Sequence, residues 1–180
     1  VTIQRDTLGE VADGYIVSGY PTMGSFGSST CNTGLSGSGE NRALLRFGLD
    51  LLPADAVVQS ATLGLEQYAP ASGETVHVYR ITQAWSEGEP TWNTFADSYD
   101  AFSWASFASV GGSVTADVTD LVSAWVDGSQ PNYGMMLVNS PAQALDRYLT
   151  SEYGTVARHP WLEVCYVVGG GPGPAVSIEI

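Results

Sequence analysis

Apolar and polar residues alternate along this chain with a period of two, and that alternation limits the fold more than any other feature of the sequence. In residues 43–50, Ala43, Leu45, Phe47 and Leu49 fall on one face and Leu44, Arg46 and Asp50 on the other, so the segment predicts a strand with one buried side. The pattern recurs at 61–66, 75–80, 134–138, 147–150 and 162–167, with Pro, Gly, Asn and Asp between. Strands so spaced predict an all-β fold, an antiparallel β-sandwich or jelly roll. One stretch has a different period. Val118, Leu121, Val122 and Trp125 stand at i, i+3, i+4 and i+7, with Thr119 as a candidate N-cap and Asp127-Gly128 as a stop, which predicts one short helix. Residues 18–41, rich in Gly, Ser and Thr, are expected to form a long loop around Cys31, and Gly34 to Gly39 read as part of it.

The 180 residues make one domain's length. The charge is one-sided: six Arg, no Lys, nineteen acidic residues and a net charge of -13. A nucleic-acid backbone is therefore excluded as a partner, and the absence of lysine excludes Schiff-base chemistry and a P-loop ammonium. No run of residues is long and apolar enough for a membrane span. The start, Val1 to Arg5, has neither an initiator Met nor a signal-peptide core, so the chain is expected to be a processed or excised segment. The Gly-, Ser- and Thr-rich composition fits an extracellular or cell-surface protein. Cys31 and Cys165, far apart and without metal-ligand spacing, suit a single disulfide, with two free thiols as the alternative.

Several motifs keep a recognisable order. They are Arg42-Ala43-Leu44-Leu45-Arg46-Phe47, Ser60 to Leu65, Trp85-Ser86-Glu87 with Thr91-Trp92-Asn93, Asp117 to Val122 with Trp125, Asn132-Tyr133-Gly134, and Pro160 to Tyr166. Across residues 10 to 168 the chain resembles the DNRLRE-domain family. The resemblance implies a non-catalytic, extracellular β-sandwich similar to carbohydrate-binding modules. One step departs from the pattern: where the family usually has Ser-Arg-Glu, this chain has Thr150-Ser151-Glu152.

Candidate chemistry is sparse. Glu87 and Glu89, beside Trp85 and Trp92, form a carboxylate pair that a glycosidase would need at a set separation across a cleft. The structural reading is preferred: the two Trp anchor the loop and Glu87 orients it through backbone N–H groups. His77 and His159 lack a nucleophile with recognisable flanks, and no Gly-x-Ser-x-Gly elbow occurs, so no enzyme is expected. Asp13, Asp50, Asp55, Asp117, Asp120 and Asp127 could offer oxygen ligands to calcium, without EF-hand spacing. Tyr99, Phe102, Trp104 and Phe107 lie in an irregular segment, 98–109, and are a candidate platform for stacking on a neutral glycan. The acidic surface disfavours acidic polysaccharides.

The C-terminus reads as an addition to the domain of residues 1–168. Residues 169–174 are a Gly/Pro linker, and Ala175, Val176, Ser177, Ile178, Glu179 and Ile180 alternate as a strand. A tethered strand seeks a sheet edge, and donation to the next copy, head to tail, would build a filament. The sequence thus supports two functions: a self-assembling extracellular filament subunit, and a carbohydrate-binding module.

Overall fold

The computed structural model describes residues 1–68, 71–140 and 143–169. The expected linker beyond Gly169 and the strand at 175–180 lie outside the described residues. Among the described residues twelve strands form: β1 (Thr2–Ile3), β2 (Val11–Val17), β3 (Gly24–Ser25), β4 (Thr30–Ser36), β5 (Gly39–Phe47), β6 (Ala56–Tyr68), β7 (Thr75–Arg80), β8 (Ala105–Ala108), β9 (Gly112–Asp117), β10 (Met135–Asn139), β11 (Leu145–Leu149) and β12 (Trp161–Val168). Two helices join them, α1 (Trp92–Phe95) and α2 (Thr119–Val126), with a 3₁₀ turn at Val156–Arg158. All strand pairs are antiparallel, and the hydrogen-bonded order runs β1-β12-β6-β11-β4-β5-β10-β7-β8, with β2 on β5 and β9 on β6. The all-β sandwich read from the alternation is the observed fold.

Its main core follows from the same alternation. Ala43, Leu45 and Phe47 of β5, Val76 and Val78 of β7, and Met135 and Leu137 of β10 belong to one buried cluster with Leu63 and Leu65 of β6 and Leu162 and Val164 of β12. Leu121, Val122 and Trp125 of α2 belong to it too, which is the amphipathic stripe of the expected helix put to use. The helix begins one residue earlier than its expected cap implied: Val118, not Thr119, is the N-cap residue, and the Asp117 carboxylate accepts from both the N–H (3.0 Å) and the hydroxyl (2.6 Å) of Thr119.

Three expectations need correction. First, β5 is buried on both sides, because Leu44, Ile16 and Met136 form a second cluster with Trp85 and Phe95 from the segment after β7. That segment, 82–99, covers a face that alternation alone assigns to solvent. Second, residues 18–41 are not one loop, since β4 pairs with both β5 and β11 and carries Cys31 into the core. Gly34, at φ +81, sits within β4, where a side chain would strike the Ala144 carbonyl, so its glycine marks a close approach and not a loop. Third, Cys31 and Cys165 are not bonded. Cys31 is a buried thiol, whereas Cys165 falls between the inward Val164 and the half-buried Tyr166 on the outward phase of β12 and is exposed. The sheet alternation puts one thiol in the core and the other in water.

Candidate functional site

Asp13 stands on the inward phase of β2, in step with Val11, at a position where the strand pattern calls for an apolar side chain. It is fully buried. The turn after β11 meets it: the Ser151 N–H donates to Asp13 Oδ2 at 2.8 Å, and Glu152 follows. The loop after β7 closes the third side, with Glu87 Oε1 3.4 Å from the Asp13 backbone N–H. Carboxylate oxygens of Asp13, Glu87 and Glu152 all lie within 4.8 Å of one another.

Each partner is held by its own local structure. Trp85, 5 % exposed, pins the Glu87 loop: its indole N–H donates to the Tyr133 carbonyl (2.8 Å), and Arg46 donates to the Trp85 carbonyl (2.6 Å) while lying over the ring. The turn at 150–152 is fixed by the Thr150 hydroxyl, which donates to the Ser28 carbonyl at 2.5 Å. Arg5, just past β1, donates to Ser151 Oγ (2.9 Å) and forms an ion pair with Glu152 Oε1. Residue 151, where the family resemblance leads one to expect Arg, is Ser; the guanidinium on Glu152 comes instead from Arg5, at the other end of the chain.

The cluster is short of positive charge. Asp13 Oδ1 and Glu152 Oε2 are buried with no hydrogen-bond partner among the described residues. Burial pushes the Asp13 carboxyl up to about 7; the Glu152 charge adds to the rise, and the Ser151 N–H opposes it. The Cys31 thiol is likewise raised, first by burial and then by the Asp13 charge. A sugar cannot enter between carboxylates when one is sealed in the core, so the cluster lacks the open separation that glycoside hydrolysis needs.

Beside it runs a polar groove. A cleft of about 450 Å³ is lined by Arg5, Glu10, Arg46, Ser86 and Glu87, and a second of about 480 Å³ by Glu10, Arg46, Asp50, Trp125 and Asn132. Glu10, Arg46 and Gly48 line both, so the two lie side by side.

The residues singled out from sequence are dispersed. Of the aromatic platform, Phe107 is core, packed edge-on against Tyr148, and Tyr99 packs on Tyr79 under Arg42. Only Phe102, 59 % exposed, and the half-buried Trp104 remain as a pair, with ring centroids 5.3 Å apart and the indole N–H fixed to Asp100. Glu89, not Glu87, braces its own loop by accepting the Ser86 N–H (3.1 Å). Of the six aspartates, Asp13 enters the cluster and Asp50 lines the groove, whereas Asp117 and Asp127 hold the two ends of α2. His159 is buried against the Tyr153 carbonyl, and His77 stacks near Tyr79. Glu152, Arg5, Glu10 and Arg46 escaped the sequence reading as site residues. Asp13 was among the six aspartates offered as calcium ligands, and its burial on β2 is what the structure adds.

Compared with known families, residues 4–164 match the family model described as carbohydrate-binding module family 96. The match spans most of the stretch on which the resemblance rested and supports a carbohydrate-binding-module-like domain, not the narrower family name. No curated protein matches the chain as a relative. Among the described residues no helix is long and apolar enough to cross a membrane.

Proposed function

The chain belongs to carbohydrate-binding module family 96, and on that premise we propose that it is a non-catalytic, extracellular domain that holds a glycan chain in the groove along Glu10, Arg46 and Gly48. The family match is the observation that carries the reading. The groove is the best place for it, because guanidinium and carboxylate groups both line its walls and offer donors and acceptors to the hydroxyls of successive sugars. Its acids, Asp6, Glu10, Asp50 and Glu87, outnumber Arg5 and Arg46, which favours neutral over acidic glycans.

An array of neutral and acidic oligosaccharides, probed with the chain and with a Glu10→Ala, Ser86→Ala double variant, tests this. Binding to a neutral glycan, weakened about tenfold or more in the variant, is expected. Failure to bind any glycan overturns the function. Binding that survives in the double variant but is lost in Phe102→Ala moves the site to the exposed Phe102–Trp104 ledge. The filament reading depends on residues 175–180, outside the described residues, and no described contact favours it.

A further inference from the structure

We propose that Asp13, Glu87 and Glu152 form a divalent-cation site selective for calcium, tying β2, the loop after β7 and the turn after β11 together. The proposal stands apart from glycan binding. Its first support is Asp13 itself: the side chain is fully buried, its Oδ1 has no donor among the described residues, and its carboxylate lies in the group whose oxygens converge within 4.8 Å. Glu152 Oε2 is a second buried acceptor without a donor among the described residues. An ionised carboxylate in the core without compensating positive charge is strongly unfavourable, so the arrangement calls for a cation.

The charge count gives the cation's valence. Three carboxylates face one guanidinium, Arg5, leaving two negative charges when all are ionised. The donor set gives its type. Carboxylates with no imidazole or thiolate in the group suit a hard cation, and carboxylates that can bind through one oxygen or two suit the six to eight ligands and loose geometry of calcium better than the strict octahedron of magnesium. Glu87 is exposed and also lines the cleft, so the ion has an entry path and water has room to complete its shell.

Calorimetric titration of the chelator-stripped full chain with calcium chloride, alongside thermal unfolding with calcium, with magnesium and with chelator, tests the site. The expected result is one calcium per chain, a melting temperature raised by calcium and returned by chelator, and a much smaller response to magnesium. Glu87→Gln, an exposed change that leaves the core intact, weakens calcium binding about tenfold or more, and Asp13→Asn abolishes it. No heat and no melting shift up to about 10 mM calcium, well above the range of weak extracellular sites, overturns the proposal and assigns the buried charge to a proton shared by Asp13 and Glu152. So does an undiminished calcium response in Glu87→Gln. If Asp13→Asn fails to fold, Glu87→Gln decides alone. A chain that binds glycan but not calcium sinks this site only.

Discussion

Strand β11 has a buried carboxylate at each end, and the two are built in opposite ways. At its start, Asp146 is fully buried and saturated: Oδ1 accepts from the Ser72 N–H, the Ser109 hydroxyl and the Gln67 amide, and Oδ2 from the Ser72 hydroxyl and the Asn139 amide, at 2.6–3.0 Å. Five residues further on, in the turn after β11, Ser151 gives Asp13 a single N–H, and the neighbouring groups are two more carboxylates. Neutral donors drawn from four residues make the first site complete in itself. The second has acceptors in excess, and only something positive from outside finishes it. A buried charge is thus a structural tie where the chain supplies its donors and a binding site where it does not.

The comparison breaks most directly at Asp146. Asp146→Ala leaves the Ser72, Ser109, Gln67 and Asn139 donors facing each other in the core, and the expected loss is about 3–5 kcal/mol, read from urea unfolding. A loss below about 1 kcal/mol would mean that water replaces the carboxylate and that the two ends of β11 do not differ in kind. Asp13→Asn is the counterpart. In chelator it removes a charge facing Glu152 and Glu87, so stability changes by no more than about 1 kcal/mol or rises, whereas Asp146→Asn still costs several. Equal losses at the two positions would erase the distinction.

How far the sequence revealed these sites depends on which neighbours fill them. The alternations at 75–80 and 162–167 gave strands β7 and β12 because their burial is decided by residues of the same short segment. Strands β2 and β4 were not legible. Val11–Val17 is buried or half-buried on both faces and holds Asp13 and Gly14, and Thr30–Ser36 is a strand only because β5 and β11 flank it. The Asp13 cluster is drawn from positions 13, 87 and 152, joined by no local spacing, so no motif could announce it. The aromatic residues misled for a related reason: 98–109 looks irregular, yet β8 pairs with β7 and turns Phe107 inward. Of the three cluster carboxylates, only Asp13 stood among the aspartates that the sequence offers as calcium ligands, and nothing in its neighbours set it apart from the other five.

Arg5 sharpens the contrast with a smaller effect. Among the described residues its guanidinium is the one cationic group paired with the cluster, and its side chain is 38 % exposed, so screening reduces what the pair with Glu152 contributes. Arg5→Ala is expected to lower stability in chelator by about 0.5–1 kcal/mol. The same change leaves the cluster more negative, so calcium should bind more tightly than to the parent chain. A variant that loses stability and calcium affinity together would make Arg5 a scaffold of the site and not its counter-charge.

The smallest effect belongs to a carboxylate with donors but no burial. Asp117 is exposed, and the Thr119 hydroxyl first, then the Thr119 N–H, hold its carboxyl below the usual aspartate range. A depressed folded value contributes stability that is present above the unfolded aspartate value, near 4, and is lost as pH falls through the folded one. Asp117→Ala should therefore cost about 0.5–1 kcal/mol at neutral pH, as loss of a helix cap does. That difference from the parent should shrink as pH falls below about 4 and disappear once the pH passes the lower folded value, where the parent also carries no charge at this position. A difference that stays constant from pH 7 to pH 3 would show that the contribution comes from packing at the start of α2. Hydrogen-bond donors would then have little to do with the effect at the surface, and the weight placed on them at Asp146 would rest on burial alone.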